Sequence, residues 1–169
     1  MTNPHLAVSI LSDIFPSVRH ALGDDRFNEM LKAFVADRTK AAMPADHFPA
    51  YLRDHATHLI YRNFLAQLAT LELTLHNMHH DADEHGDQLR LLRFDYPVSD
   101  YLRAVEQMIE TGEDEIIGAP VATQRCWVAV YRHGKQVGRM TIDPNQFNNV
   151  LDCLTQREPQ TIAAVAAAN

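Results

Sequence analysis

Cysteine is nearly absent: Cys126 and Cys153 are the only two in 169 residues, and neither belongs to a Cys-x-x-Cys pair. That argues against a disulfide-stapled scaffold or a structural zinc site, and the expectation is two reduced thiols in a cytoplasmic protein. Glycine is equally sparse, with six residues, none of them in a G-x-G-x-x-G, Walker-type or G-x-S-x-G arrangement. The sequence therefore offers no phosphate-cradling loop and no nucleophile elbow. Basic residues are outnumbered, 15 Lys and Arg against 22 Asp and Glu, for a formal charge of −7. Phosphate binding is driven mainly by Lys and Arg, so this balance disfavours nucleic acid and anionic membranes as partners. No apolar run approaches the roughly 20 residues of a membrane span. The opening "MTNPHLAVSI" has neither a basic n-region nor an adequate apolar core for a signal peptide. The expectation from these absences is a soluble, cytoplasmic chain with no nucleic-acid and no membrane partner.

What is present suits a globular protein, since an apolar fraction of 46% supplies material for a core. The first half reads as helix. Residues 5–21 carry apolar side chains at 6, 7, 10, 11, 14, 15 and 18, a 3.6-residue stripe that Pro16 should kink or split. Gly23 is a stop, Asp24 or Asp25 a cap, and the next helix buries Phe27, Met30, Leu31, Phe34 and Val35. A linker leads to a short helix with Phe48, Tyr51 and Leu52 inward. A long amphipathic helix follows from Leu59 to about His80, using Leu59, Ile60, Phe64, Leu65, Leu68, Leu71, Leu75 and Met78.

The pattern changes after Gly86. "QLRLLRF" alternates as a strand, and "SDYLRAVEQMIETG" is a helix capped by Ser99 and stopped by Gly112. "RCWVAVYRHGKQVGRMTID" is a hairpin turning at His133-Gly134-Lys135, with Trp127, Ala129 and Tyr131 on one face and Val128 and Val130 on the other. A helix beginning at Asp143-Pro144 and an Ala-rich helix after Pro159 close the chain. The expected fold is α+β: a helical bundle over 1–85, then a small unit over 87–169 with a hairpin-containing antiparallel sheet and helices.

Two features invite chemistry. "LELTLHNMHHDADEH" places His76, His79 and His80 at i, i+3 and i+4, with Glu72 one turn earlier and Asp83 just beyond. Zinc needs three or four converging ligands, and this is not H-E-x-x-H, because Asn77 follows the first histidine. A polar helix end is the favoured reading, since protonated histidine complements the helix dipole. Neither cysteine has a flanking base, so no catalytic residue, resident metal or cofactor is assigned to this chain. The hairpin is the other feature: a sheet edge can accept an extended peptide as an added strand.

Several stretches resemble a known family in order and spacing. "IFPSVRHALGDDRFNEMLKAFV", "FPAYLRDH" with "FLAQLATLELTLHNMHHDADE", and "LRLLRFDYPVSDYLRAVE" are similar to successive motifs of HvfC/BufC-type partner proteins, most of all the MbnC-type branch of methanobactin biosynthesis. "CWVAVYRHGKQVGRMTID" stands where the family has a strand pair, while Leu73 stands where it has tryptophan. The resemblance implies a non-catalytic subunit forming a heterodimer with a multinuclear non-heme iron oxidase. That enzyme converts cysteines of a ribosomally made precursor peptide to copper-binding oxazolone and thioamide groups, with iron held by the oxidase. It implies leader-peptide binding, for which the strands at 125–132 and 136–142 are the expected seat. Trp127, Val128, Val130, Tyr131 and Val137 are the candidate contacts, with Arg132 and Arg139 facing acidic leader residues. The helical half would dock on the oxidase. The competing readings are a DNA-binding regulator, an old label of the family, and a stand-alone metal-binding protein using the histidine cluster.

Overall fold

A computed structural model describes residues 4–37, 45–80, 88–113, 117–122, 125–143 and 147–148. Five helices come first: α1 (Pro4–Ile14), α2 (Pro16–Leu22), α3 (Asp24–Asp37), α4 (Phe48–His55) and α5 (Arg62–His80). Proline splits the first apolar stripe as its chemistry requires. Phe15 leaves helical geometry at φ −120°, ψ 53°, and Pro16 starts α2 in the first turn, where a missing N–H costs nothing. Gly23 ends α2 at φ 78° and donates its N–H to the Arg19 carbonyl. Its own carbonyl accepts the Phe27 N–H at 3.0 Å, so Gly23 also stands at the cap position of α3. Asp24 and Asp25 thus fall inside the first turn of α3 instead of capping it, and Asp24 is engaged by Arg19 Nε at 2.7 Å.

Phe27, Leu31, Phe34 and Val35 are buried as the periodicity predicts, with Met30 half-buried. They meet α4 through Phe48, whose ring lies 4.8 Å from that of Phe15, 6.3 Å from Phe27 and 5.2 Å from Phe34. The long helix starts later than its apolar pattern suggests. Residues 56–61 form turns held by Leu59 N–H to Ala56 O and Arg62 N–H to Leu59 O, and Ile60, counted in the buried stripe, is fully exposed. From Phe64 onward α5 is the centre of the molecule, packing against α1, α2, α4, a further helix and all three strands. Leu75 is only half-buried, whereas Glu72 and Thr74 are buried.

The C-terminal unit is an antiparallel sheet, β1 (Gln88–Phe94), β2 (Cys126–His133) and β3 (Gln136–Ile142), in the order β1-β2-β3, with α6 (Val98–Thr111) between β1 and β2 in sequence. Leu91, Ala129 and Met140 stand abreast, which fixes the register. The hairpin turns on Gly134-Lys135, with Gly134 at φ 58°, a value the tight two-residue turn demands. Gly112 stops α6 in left-handed geometry with its N–H on Met108 O. Ser99 is not the cap. Pro97 takes that position and accepts the Tyr101 N–H, while Ser99 sits buried in the first turn, its Oγ without a hydrogen-bond partner among the described residues.

The helical part and the sheet share one core, running from Leu11, Phe27 and Leu68 to Val98, Val128 and Val130. A second cluster, Ala129 and Ile142 with Leu89, Leu91, Trp127 and Met140, forms on the other face of the sheet. Among the described residues no helix is long and apolar enough to cross a membrane. The expected helices after Asp143 and after Pro159 lie outside the described residues, Phe147 and Asn148 apart.

Candidate functional site

Strand order decides what the hairpin can offer. β2 is the central strand, paired along its length with β1 on one side and β3 on the other. Its backbone is therefore taken up, and an added strand has access only to the outward edges of β1 and β3. Alternation along a pleated strand then sends Cys126, Val128, Val130 and Arg132 towards the helices and Trp127, Ala129 and Tyr131 away from them.

The proposed contact residues divide accordingly. Val128, Val130 and Arg132 have no exposed surface, which leaves them no direct contact with a peptide on the sheet. Arg132 donates from Nη1 to the Met78 carbonyl at 3.3 Å, near the C-terminal end of α5. There the backbone carbonyls lack helical partners, and a cation complements the dipole. Arg139 is held by Glu106 of α6 through two parallel hydrogen bonds, Nη1 to Oε1 at 3.0 Å and Nη2 to Oε2 at 2.5 Å. The two arginines expected to meet acidic leader residues thus tie the sheet to α5 and α6. Val137 is half-buried against the main core. Trp127 and Tyr131 are on the outer face. Trp127 packs on Phe147 with ring centroids 4.7 Å apart, and the Tyr131 ring lies over Gly138, its partner in register.

On the helical side, β1 overhangs an open groove of about 700 Å³ whose floor is α5 and whose far wall is α4. Asn63, Thr70 and Asn77 contribute from α5, Arg53 from α4 and Arg90 from β1. Gln67 and Asp95 fix one end of it: Gln67 Nε2 donates to the Asp95 carboxylate at 3.2 Å and Gln67 Oε1 accepts the Asp95 N–H at 2.8 Å. This groove was not visible in the sequence. The one trace of it is the polar run Asn63, Gln67, Thr70, Thr74 and Asn77, spaced to follow one face of α5.

The histidine cluster is divided by the fold. His76 and His80 lie side by side, ring centroids 4.2 Å apart, and the His76 imidazole is held below its usual range by burial, then by His80 and His79. Glu72 turns inward. It is 4% exposed, and its carboxylate accepts the N–H groups of Ser17 at 2.6 Å and Val18 at 3.3 Å, at the start of α2. Burial pushes its pKa up to about 8, against the pull of those hydrogen bonds. Asp83 lies outside the described residues. Among the described residues no three His, Cys, Asp or Glu side chains come together to hold a metal ion.

Cys126 is half-buried and donates its thiol to the Tyr96 carbonyl at 3.1 Å, and burial pushes its pKa up, away from thiolate chemistry. Cys153 lies outside the described residues. Comparison with protein-family models, with curated proteins and with solved structures finds no match to this chain.

Proposed function

We propose that this chain is a non-catalytic partner subunit of a multinuclear non-heme iron oxidase, working in the cytoplasm on the maturation of a ribosomally made precursor peptide. The products envisaged are copper-binding oxazolone and thioamide groups of the methanobactin type, formed by the oxidase from precursor cysteines. The chain supplies no iron ligand. It forms a heterodimer with the oxidase and holds the leader segment of the precursor.

The motif order quoted above supports the partner role. The observation that carries peptide binding is a three-stranded antiparallel sheet with β1 and β3 each paired on one side only among the described residues. Such an edge presents a row of backbone donors and acceptors that an extended segment completes. The peptide seat is accordingly assigned to an outward edge of the sheet and not to β2.

The test is co-expression with a multinuclear non-heme iron oxidase, followed by size-exclusion chromatography with light scattering and a labelled leader peptide. A one-to-one complex that retains the leader is expected. Elution of the two proteins apart, each indifferent to the leader, overturns the proposal.

A further inference from the structure

The end of α5 carries a pair of imidazoles that the proposed function leaves unused. His76 and His80 are one helical turn apart, so their side chains rise from the same face. Their ring centroids are 4.2 Å apart and the rings are inclined at 48°. Neither ring has a hydrogen-bond or ion-pair partner among the described residues. A neutral imidazole keeps one nitrogen lone pair free to bind. Two such lone pairs, one turn apart on a helix, can close on a single cation.

The turn beneath the pair is held firmly. Met78, between the two histidines in sequence, is wholly buried, and its carbonyl accepts Arg132 Nη1 at 3.3 Å. One turn before His76, Glu72 fastens α5 to the first N–H groups of α2. His76 is itself half-buried. Ligands carried by an anchored helix keep a precision that loops do not give. Electrostatics favour the same kind of occupant. The C-terminal end of a helix is the negative end of its dipole, and a net charge of −7 draws cations to the surface.

The separation of the rings narrows the class of cation. With metal–nitrogen bonds of about 2.0–2.1 Å, each ring centroid stands about 3.2 Å from the metal. Rings with centroids 4.2 Å apart then subtend about 80° at it, close to the right angle of a square-planar or tetragonal site. The tetrahedral angle of zinc would hold the centroids about 5.2 Å apart. Nitrogen ligands at right angles suit Cu(II) or Ni(II), whereas calcium and magnesium take oxygen donors. His79 leaves the helix on the other side of His76 and adds no third ligand, since no three such side chains converge among the described residues.

We propose that His76 and His80 form a two-histidine chelate at the C-terminal end of α5 that binds one Cu(II) or Ni(II) ion, with water in the remaining positions. The site is open, so its ion exchanges with the surroundings instead of being a resident cofactor. It is independent of the oxidase iron and of the sheet edges, and it stands or falls apart from the partner role. The unfolded chain offers no preformed pair, so the bound ion stabilises the folded chain and clips the last turn of α5.

The experiment titrates the full chain with Cu(II) at mildly alkaline pH, with glycine as a weak competitor, and repeats the titration with Ni(II) and Zn(II) by calorimetry. One Cu(II) per chain is expected, with two equatorial nitrogens in its paramagnetic resonance spectrum, and Ni(II) should bind at least as tightly as Zn(II). His76→Ala and His80→Ala should each weaken Cu(II) binding about tenfold or more, and the double variant should be little weaker than either, because a chelate is lost with its first arm. Replacing His55 and His58 together by alanine, elsewhere on the surface, leaves binding unchanged. Saturating Ni(II), which does not oxidise thiols, raises the melting temperature of the parent chain and not of the double variant. All four side chains are exposed or half-buried, so the circular dichroism of the metal-free variants should match that of the parent. A stoichiometry that survives both substitutions, a spectrum with a single nitrogen, or Zn(II) bound more tightly than Ni(II) overturns the proposal. So do single substitutions that each cost only about twofold, the mark of adventitious binding at independent histidines without a chelate.

Discussion

Replacing Glu72 by glutamine tests how the bundle is held together. The carboxylate of α5 spans the break made by Pro16 and receives the first N–H groups of α2, with no exposure to water worth the name. Desolvation outweighs those hydrogen bonds and lifts the pKa from 4.5 to about 8. The folded chain then keeps a proton that the unfolded chain gives up. Below pH 4.5 both states are protonated and the group contributes nothing. Between pH 4.5 and 8 stability falls as pH rises, by about 1.4 kcal/mol per unit, to a ceiling on the order of 5 kcal/mol, and it levels off above that. That ceiling is comparable to the whole stability of an ordinary domain, about 5–15 kcal/mol. Glu72→Gln keeps the shape and one carbonyl acceptor but cannot ionise. At pH 5 it should cost about 1–3 kcal/mol, because one backbone N–H of α2 faces an amide instead of an oxygen. The penalty should shrink as pH rises and vanish or reverse by pH 9. Urea denaturation at unit pH intervals, followed by far-ultraviolet circular dichroism, reads both curves. A parent chain whose stability is flat from pH 5 to 9, or a variant that keeps the parent's slope, refutes the reasoning.

Other consequences are as concrete. Phe48→Ala removes the ring on which Phe15, Phe27 and Phe34 converge and should destabilise the chain by about 3–5 kcal/mol in urea. At Gly138 a Cβ would stand 2.6 Å from Tyr131 Cζ and Oη, so Gly138→Ala must swing the ring away. Because only the far end of a side chain is displaced, the expected cost is about 1 kcal/mol, and it should fall away in a Tyr131→Ala background when melting temperatures are compared in a double-mutant cycle. The Arg139–Glu106 pair is half open to solvent on the glutamate side, so its coupling in a cycle of Arg139→Gln and Glu106→Gln should be about 1 kcal/mol or less and should weaken in salt.

Much of the fold was legible in local chemistry. Proline at 16, glycines at 23, 112 and 134 and the apolar spacing of α3, α4 and α5 act through backbone geometry and one-face burial, which sequence displays directly. The misplacements share a cause. Ile60 fits the helical period but falls in a turn, and Ser99 is a good capping residue two positions too late, because Pro97 already holds the cap position of α6. The candidate site was less legible, since alternation shows that β2 has two apolar faces but not that it lies between two neighbours. Arg132 and Arg139 read as surface cations, and only the packing of α5 and α6 reveals their internal partners. Glu72 read as a companion of His76 on one helix face, while its true partner is a break in another helix 55 residues earlier. Long-range pairing of this kind leaves no periodic trace.

The most direct measurement of the proposed partner role is the rate at which a multinuclear non-heme iron oxidase modifies the cysteines of a ribosomally made precursor peptide, followed by mass spectrometry, with and without this chain. Modification that requires the chain, and that slows when the precursor lacks its leader, is the predicted result. An oxidase that modifies the intact precursor equally well alone contradicts it.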